Sequence, residues 1–223
     1  MSKATGESAA NTIRDREPRW LALIATLAVS VLEYLLPEPL TVGPGWVALV
    51  IVIILLIPTT ISHRAGNARL NDLFGYAVLI SLTIMVASSL GLLIWRLPGK
   101  ADSPIELLRS AGALWGSNVL LFANWYWRLD GGGPNERMRR ATHDGAFLFP
   151  QMLMGKKLRE ELGEENWRPG FVDYLFLAFN TSTAFSPTDV PVLSRWAKVM
   201  MMVQSVISLS TLALIAARAV NIL

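Results

Sequence analysis

Cysteine is absent from the 223-residue chain, and histidine occurs only twice, at His63 and His143. Without cysteine the chain has no disulfide, no thiolate nucleophile and no cysteine-ligated metal. Two imidazoles are too few for a usual metal centre, so we expect neither a bound metal nor another cofactor. Charged residues are also scarce, at 17% of the composition, which excludes an intrinsically disordered chain.

Apolar sequence is what the chain has in excess. Hydrophobic residues make up 52% of the composition, and the mean hydropathy is +0.42. Such a chain is suited to contact with the lipid bilayer and with other membrane helices. The formal net charge of +3 is explained by basic loops beside an anionic leaflet rather than by nucleic-acid binding. We therefore predict a multi-pass protein of the bacterial inner (plasma) membrane with no nucleic-acid partner.

Five apolar runs define the predicted spans, each close to the ~20 residues that cross a bilayer as a helix. Prolines, glycines and polar residues separate the runs. The runs cover residues 20–36, 46–61, 73–95, 105–127 and 195–220. The predicted fold is an all-α polytopic transmembrane helical bundle of about five to six spans. Its predicted parts are a polar N-terminal tail (1–19), a four-span membrane region (20–128), a polar loop (129–170) and a C-terminal region (171–223).

Residues 171–192 make a poor lipid-facing span. They begin apolar and aromatic, turn polar at Asn180-Thr181-Ser182-Thr183, and break at Pro187. A short hydrophobic helix that ends in hydroxyl residues, and breaks before a long helix, is typical of a re-entrant loop whose backbone faces protein or water. The alternative is a kinked sixth span that crosses the membrane completely.

This stretch resembles the pore region of tetrameric cation channels, in which a pore helix leads to a T-V-G-Y-G-D filter and then to the inner helix. The matching residues are Thr183-Ala184-Phe185-Ser186-Pro187-Thr188-Asp189, followed by Trp196-Ala197-Lys198. The resemblance implies a homo-oligomer, a tetramer if it is channel-like, that passes monovalent cations. The glycines that let filter carbonyls face a potassium pore are missing, so potassium selectivity is not expected. The candidate constriction residues are Thr181, Ser182, Thr183, Phe185, Ser186, Thr188 and Asp189.

A second resemblance covers three C-terminal motifs. These are Phe171-Val172-Asp173-Tyr174, residues 184–189, and Ala216-Ala217-Arg218-Ala219-Val220-Asn221-Ile222-Leu223. Together they resemble the C-terminal signature of uncharacterised bacterial integral membrane proteins. That family implies a membrane location and names no substrate.

One face of the last predicted span is polar. Gln204, Ser208, Thr211 and Arg218 fall on it at helical spacing. Such a face lines a pore or makes hydrogen bonds between helices, with Arg218 snorkelling near the end. Glu33, near the end of the first run, is a candidate membrane carboxylate or an interfacial residue.

Catalytic motifs are missing from the sequence. It contains no H-E-x-x-H, G-x-S-x-G or G-x-x-x-x-G-K-[ST] pattern, so we expect no enzyme. Two functional hypotheses follow. One is an oligomeric cation-permeable channel without a glycine filter. The other is a non-conducting scaffold or accessory subunit, in which the hydroxyl residues cap a buried helix and Pro187 and Pro191 shape a turn.

The two sequence arguments conflict over topology. Basic residues favour a cytoplasmic N-terminal tail and a cytoplasmic 129–170 loop. The pore loop of tetrameric cation channels enters from outside, which would place the 129–170 loop there instead. An inverted pore loop would reconcile the two, and so would a complete crossing by residues 171–192, which is the simplest solution.

Overall fold

A computed structural model describes five stretches of the chain, residues 19–96, 104–139, 145–165, 167–184 and 190–220. Several residues singled out from the sequence lie outside the described part. They are Phe185, Ser186, Pro187, Thr188, Asp189, His143 and the side chain of Arg218.

Within the described stretches the chain forms nine α-helices and no strand. The five long helices are α1 (Trp20–Tyr34), α2 (Trp46–Arg64), α3 (Ala68–Arg96), α4 (Pro104–Leu129) and α9 (Arg195–Val220). The four shorter helices are α5 (Pro134–Arg139), α6 (Pro150–Leu153), α7 (Lys156–Glu161) and α8 (Phe171–Thr183).

Three of the described helices are long and apolar enough to cross a membrane. They are Trp46–Arg64, Ala68–Arg96 and the Arg195–Ala217 part of α9. Large apolar side chains on all three point away from the bundle; Ile54, Ile84 and Val206 are 59%, 61% and 63% exposed. Apolar surfaces of this extent are rare on soluble monomers. The prediction of an all-helical protein with membrane-spanning helices is confirmed for these three helices.

The helix α3 begins before its apolar run. The sequence places the run at residues 73–95, whereas the helix begins at Ala68. The side chain of Asn67 explains the difference, because its Oδ1 accepts the backbone N–H of Leu70 at 3.2 Å. An asparagine in this position caps a helix and adds a polar first turn to it.

The centre of the bundle is α4, which packs against α1, α3, α8 and α9. Its buried residues include polar ones, and Ser117, Asn118 and Asn124 are at most 4% exposed. Because neighbouring helices cover α4, it needs fewer apolar side chains than a lipid-facing helix. This explains why α4, although 26 residues long, is not among the three helices that are apolar enough to cross a membrane.

Contacts between helix ends define one end of the bundle. Arg19, just before α1, contacts Nδ1 of His63 at 3.0 Å and donates to Oδ1 of Asn71 at 3.3 Å. At the end of α4, Arg128 donates to the carbonyl oxygen of Asn71 at 2.6 Å. The start of α1, the end of α2, the start of α3 and the end of α4 therefore meet. We call this the basic end, and α1 to α4 alternate in direction from it.

A glycine turn ends α4 and directs the chain over the basic end. Gly133 has a φ of +90°, and a Cβ there would lie 2.8 Å from the carbonyl oxygen of Arg128. Only glycine fits such a position without strain. Beyond the turn, the predicted polar loop contains the three short helices α5, α6 and α7. Its aromatic residues Phe147 and Phe149 are buried in the core, at 1% and 3% exposed.

Candidate functional site

Residues 171–192, which include α8, begin and end at the basic end of the bundle. Near the start of α8, the hydroxyl of Tyr174 donates to Oδ2 of Asp130 at 2.6 Å. After α8, Val192 forms a backbone bridge with Phe147, whose ring lies 6.2 Å from that of Tyr174. The two ends of the segment therefore lie together. Val192 thus lies at the end of the bundle from which α8 starts.

Helices α8 and α9 start side by side and run in the same direction. The ring of Trp196, in the first turn of α9, lies 6.0 Å from the ring of Phe147. Further along, the amide of Gln204 donates to the carbonyl oxygen of Ala178 at 2.7 Å and to Oγ of Ser182 at 2.8 Å. With 13 residues, α8 is about 20 Å long. It therefore ends well before α9, which has 26 residues.

A hydrogen-bond network centred on Gln204 joins three helices. Besides its two bonds to α8, Gln204 accepts a bond at Oε1 from the hydroxyl of Tyr126 on α4, at 2.5 Å. Both Gln204 and Tyr126 are 0% exposed. A buried polar group is costly unless it is paired, and here the side-chain oxygen and nitrogen of Gln204 both have partners. We call this arrangement the Gln204 network; it fixes α8 against α4 and α9.

The polar face predicted on α9 continues this interhelical bonding. Nδ2 of Asn118 on α4 donates to Oγ of Ser208 at 2.8 Å, and Thr211 donates to the carbonyl oxygen of Ile207 at 3.0 Å. Gln204, Ser208 and Thr211 are each 0% exposed. Gln204 and Ser208 thus bond to neighbouring helices of the same chain, whereas Thr211 bonds only to carbonyl groups of α9 itself.

The described constriction residues divide into two groups. Thr181 and Ser182 are buried, at 1% and 0% exposed. Thr181 donates to the carbonyl oxygen of Leu177 at 2.8 Å, and Ser182 belongs to the Gln204 network. Thr183 is exposed and donates to the carbonyl oxygen of Phe179 at 2.9 Å. Of these three residues, Thr183 alone presents its side chain to the surroundings.

The C-terminal end of α8 is exposed in the part of the chain that the structure describes. Thr183 and Ala184 are both exposed. The last carbonyl groups of a helix have no partners within it, although Asn180 here receives the N–H of Ala184 at 2.9 Å. Inside a bilayer, such a helix end must be covered by protein or by water. We call Thr183 and Ala184 the α8 tip.

No family model, curated protein or solved structure matches the chain. The resemblance to tetrameric cation channels therefore stays a prediction. The geometry and chemistry of the α8 tip and of the basic end are the basis for assigning a function.

Sequence reasoning missed the cluster around Asp130. Asp130 is 0% exposed and accepts the hydroxyl of Tyr174 and the backbone N–H of Ala146. Arg137 donates to the carbonyl oxygen of Asp130 at 2.8 Å and lies 5.0 Å from the centre of the Tyr174 ring. The only sequence signal is an aspartate followed by three glycines. This cluster ties the end of α4 to the start of α8 and to the returning chain.

Glu33 lies away from the basic end, in contact with α3. Its side chain is buried within the protein, at 2% exposed. Oγ of Ser89 donates to its Oε2 at 2.8 Å, while its Oε1 has no hydrogen-bond partner among the described residues. The adjoining cavity of about 20 Å³ has room for roughly one water molecule. Its size excludes a larger ligand.

Proposed function

We propose that the chain is a bacterial inner-membrane protein with five crossing helices, α1 to α4 and α9, and with α8 as a re-entrant helix. The meeting of Tyr174 and Val192 around Phe147 supports this topology. So does the length of α8, because about 20 Å is less than the ~30 Å of a hydrocarbon core. Basic residues concentrate where Arg19, Arg64 and Arg128 lie, so the positive-inside rule favours a cytoplasmic basic end.

The function that this arrangement supports best is a cation-permeable constriction formed by the α8 tips of several copies. The single observation that carries the proposal is the exposed tip, which needs protein or water to cover it inside a membrane. The carbonyl end of a helix carries a partial negative charge of about half an electron and favours cations. Ion-selective pores use carbonyl and side-chain oxygens in the same way. The pore segment would enter from the cytoplasm, inverted relative to tetrameric cation channels.

The exposed face of α8 offers contact area for a second copy. Phe176 and Phe179 are 55% and 46% exposed, and with Thr183 they are spaced i, i+3 and i+7, which places them on one helix face. Aromatic side chains of this kind supply much of the energy of protein interfaces. Packing of this face against another copy would bring the tips together.

Chemical modification of the tip tests this function. In liposomes that contain the Thr183→Cys protein, a thiol reagent is expected to lower monovalent-cation flux by about tenfold, because an adduct fills a narrow mouth. The Ser88→Cys protein is the matched control. The hydroxyl of Ser88, on α3, donates to a carbonyl of its own helix, as the hydroxyl of Thr183 does. Its modification should leave the flux unchanged.

Removal of a carboxylate gives a second variant for the same assay. Asp189→Ala is expected to lower cation flux, because an aspartate in each copy would supply a ring of negative charge. Flux no greater than that of protein-free liposomes, or equal inhibition of the Thr183→Cys and Ser88→Cys proteins, would contradict the channel proposal.

A non-conducting accessory subunit is the second candidate. The burial of Gln204, Ser208 and Thr211 within one chain favours it, because these three polar side chains then do not face a shared pore. In this case a different membrane protein covers the α8 tip. Cross-linking of the Thr183→Cys protein in membranes separates the two functions. A product of twice the chain mass supports the homo-oligomer, and a product of another mass supports the accessory subunit.

A further inference from the structure

A cavity of about 240 Å³ opens at the basic end between α1, α2, α3 and α4. It is separate from the α8 tip, and neither α8 nor α9 contributes a residue to its lining. Its walls are largely apolar, with Leu23, Leu56 and Val78 from three different helices. Arginines supply most of its charge, and among the described residues no carboxylate lines it. The lining side chains that carry or can acquire a positive charge are Arg19, Arg64, Arg128 and His63.

Arg128 is held in place before any ligand arrives. Its guanidinium donates to the carbonyl oxygen of Asn71 and lies 5.2 Å from the centre of the Tyr76 ring. A Cβ at Gly75 would come within 1.8 Å of Nη2 of Arg128, so only glycine leaves room for this side chain. The carboxylate of Asp72, at 3.7 Å, offsets part of its charge.

One donor of Arg128 has no acceptor. Its side chain is 11% exposed, and its Nε is buried without a hydrogen-bond partner among the described residues. Buried donors are almost always paired, so this one calls for an acceptor beyond the described side chains, a water molecule or a bound anion. An anionic oxygen is the acceptor that a guanidinium binds most strongly.

The other two arginines complete a cationic mouth. Arg19 contacts Nδ1 of His63, which acts as an acceptor in this arrangement, and donates to Asn71. Arg64 is exposed at the mouth of the cavity. The described lining contains three arginines and no carboxylate, so the mouth attracts anions.

We infer that this cavity binds the phosphate group of an anionic amphiphile, with the phosphate between Arg64 and Arg128 and the start of the acyl chain against Leu23, Leu56 and Val78. Guanidinium groups match phosphate geometry with paired hydrogen bonds. The volume is below the roughly 300–1,000 Å³ of pockets that enclose a drug-sized ligand, so it suits a headgroup rather than a whole lipid. Basic pockets between membrane helices bind anionic headgroups in this way.

Thermal unfolding of the purified full chain in mild detergent tests the inference with three probes: short-chain phosphatidylglycerol, short-chain phosphatidylcholine and inorganic phosphate. Phosphatidylglycerol is expected to raise the unfolding temperature more than phosphatidylcholine does. Arg64→Gln should weaken its apparent affinity about tenfold, because a charged hydrogen bond is lost. Lys157→Gln removes an exposed charge outside the cavity and should leave the affinity unchanged.

Gly75→Ala provides an independent variant that changes no charge. It should weaken binding by displacing Arg128, and Arg64→Gln still tests the site if the Gly75→Ala protein does not fold. Inorganic phosphate that stabilises the chain as strongly as phosphatidylglycerol would identify free phosphate as the source of the group. Equal stabilisation by the two lipids, or equal losses for Arg64→Gln and Lys157→Gln, would overturn the proposal.

Discussion

Replacement of Gln204 by alanine is expected to lower the free energy of unfolding by about 3 kcal/mol and to loosen α8 from the bundle. The substitution removes three hydrogen bonds, which join Gln204 to Tyr126, Ser182 and the carbonyl of Ala178. It also leaves a cavity in a fully buried position. A hydrogen bond between membrane helices contributes ~0.6 kcal/mol on average, and unpaired buried groups and the cavity add to that loss.

Two further variants identify which part of this effect comes from hydrogen bonding. Gln204→Met keeps most of the side-chain volume and removes the hydrogen bonds. Its loss of stability should therefore be smaller than that of Gln204→Ala by the contribution of the cavity alone. Ser210→Ala is the control on the same helix, since that hydroxyl donates only to the carbonyl of Val206. Thermal unfolding in detergent measures all three. A Gln204→Ala protein as stable as the Ser210→Ala protein would contradict a structural role for the Gln204 network.

Replacement of Asp130 by alanine is expected to have a similar cost, about 3 kcal/mol, and to release the returning chain from the basic end. The hydroxyl of Tyr174 and the backbone N–H of Ala146 would each lose an acceptor in a fully buried position. Tyr174→Phe removes only the first of these bonds and should cost about 1 kcal/mol.

Limited proteolysis and thermal unfolding measure the effect at Asp130. Cleavage between residues 145 and 165 should become faster in the Asp130→Ala protein, because Ala146 is no longer anchored. Glu160→Ala is the control, since its partner Lys156 is 93% exposed and such surface pairs contribute little. If the Asp130→Ala and Glu160→Ala proteins are equally stable and equally resistant to protease, the Asp130 cluster does not hold the returning chain at the basic end.

The positions of the long helices were predictable from the sequence. An apolar run of about 20 residues forms a helix in lipid, because a helix pairs its backbone polar groups within the segment. The runs at 20–36, 46–61, 105–127 and 195–220 correspond to α1, α2, α4 and α9. The start of α3 at Ala68 was missed, because hydropathy marks only the apolar run from Leu73 and does not show that Asn67 caps the helix.

The environment of each polar residue was not predictable in the same way. Helical spacing shows that Gln204, Ser208 and Thr211 share a face, but it does not show which helix covers that face. The covering residues, Asn118 and Tyr126, belong to α4, and they precede Gln204 by 86 and 78 residues. No local pattern encodes contacts at such separations.

The cavity at the basic end was missed for the same reason. Its lining comes from four helices, and its shape depends on the approach of Arg128 to Gly75. In the sequence, Gly75 is one of two glycines within an apolar run, and Arg128 is a charged residue at the end of another run. The two residues are brought together only by the packing of α3 against α4.

The most direct test of the re-entrant topology is cysteine accessibility, which is clean because the natural chain has no cysteine. Single cysteines at Lys157, before α8, and at Pro191, after it, should both be protected from a membrane-impermeant thiol reagent in intact cells and labelled after lysis. A cysteine at Val42, between α1 and α2 and 67% exposed, should be labelled in intact cells. Labelling of Lys157→Cys and Pro191→Cys from opposite sides would contradict the account, because α8 and the residues after it would then cross the membrane.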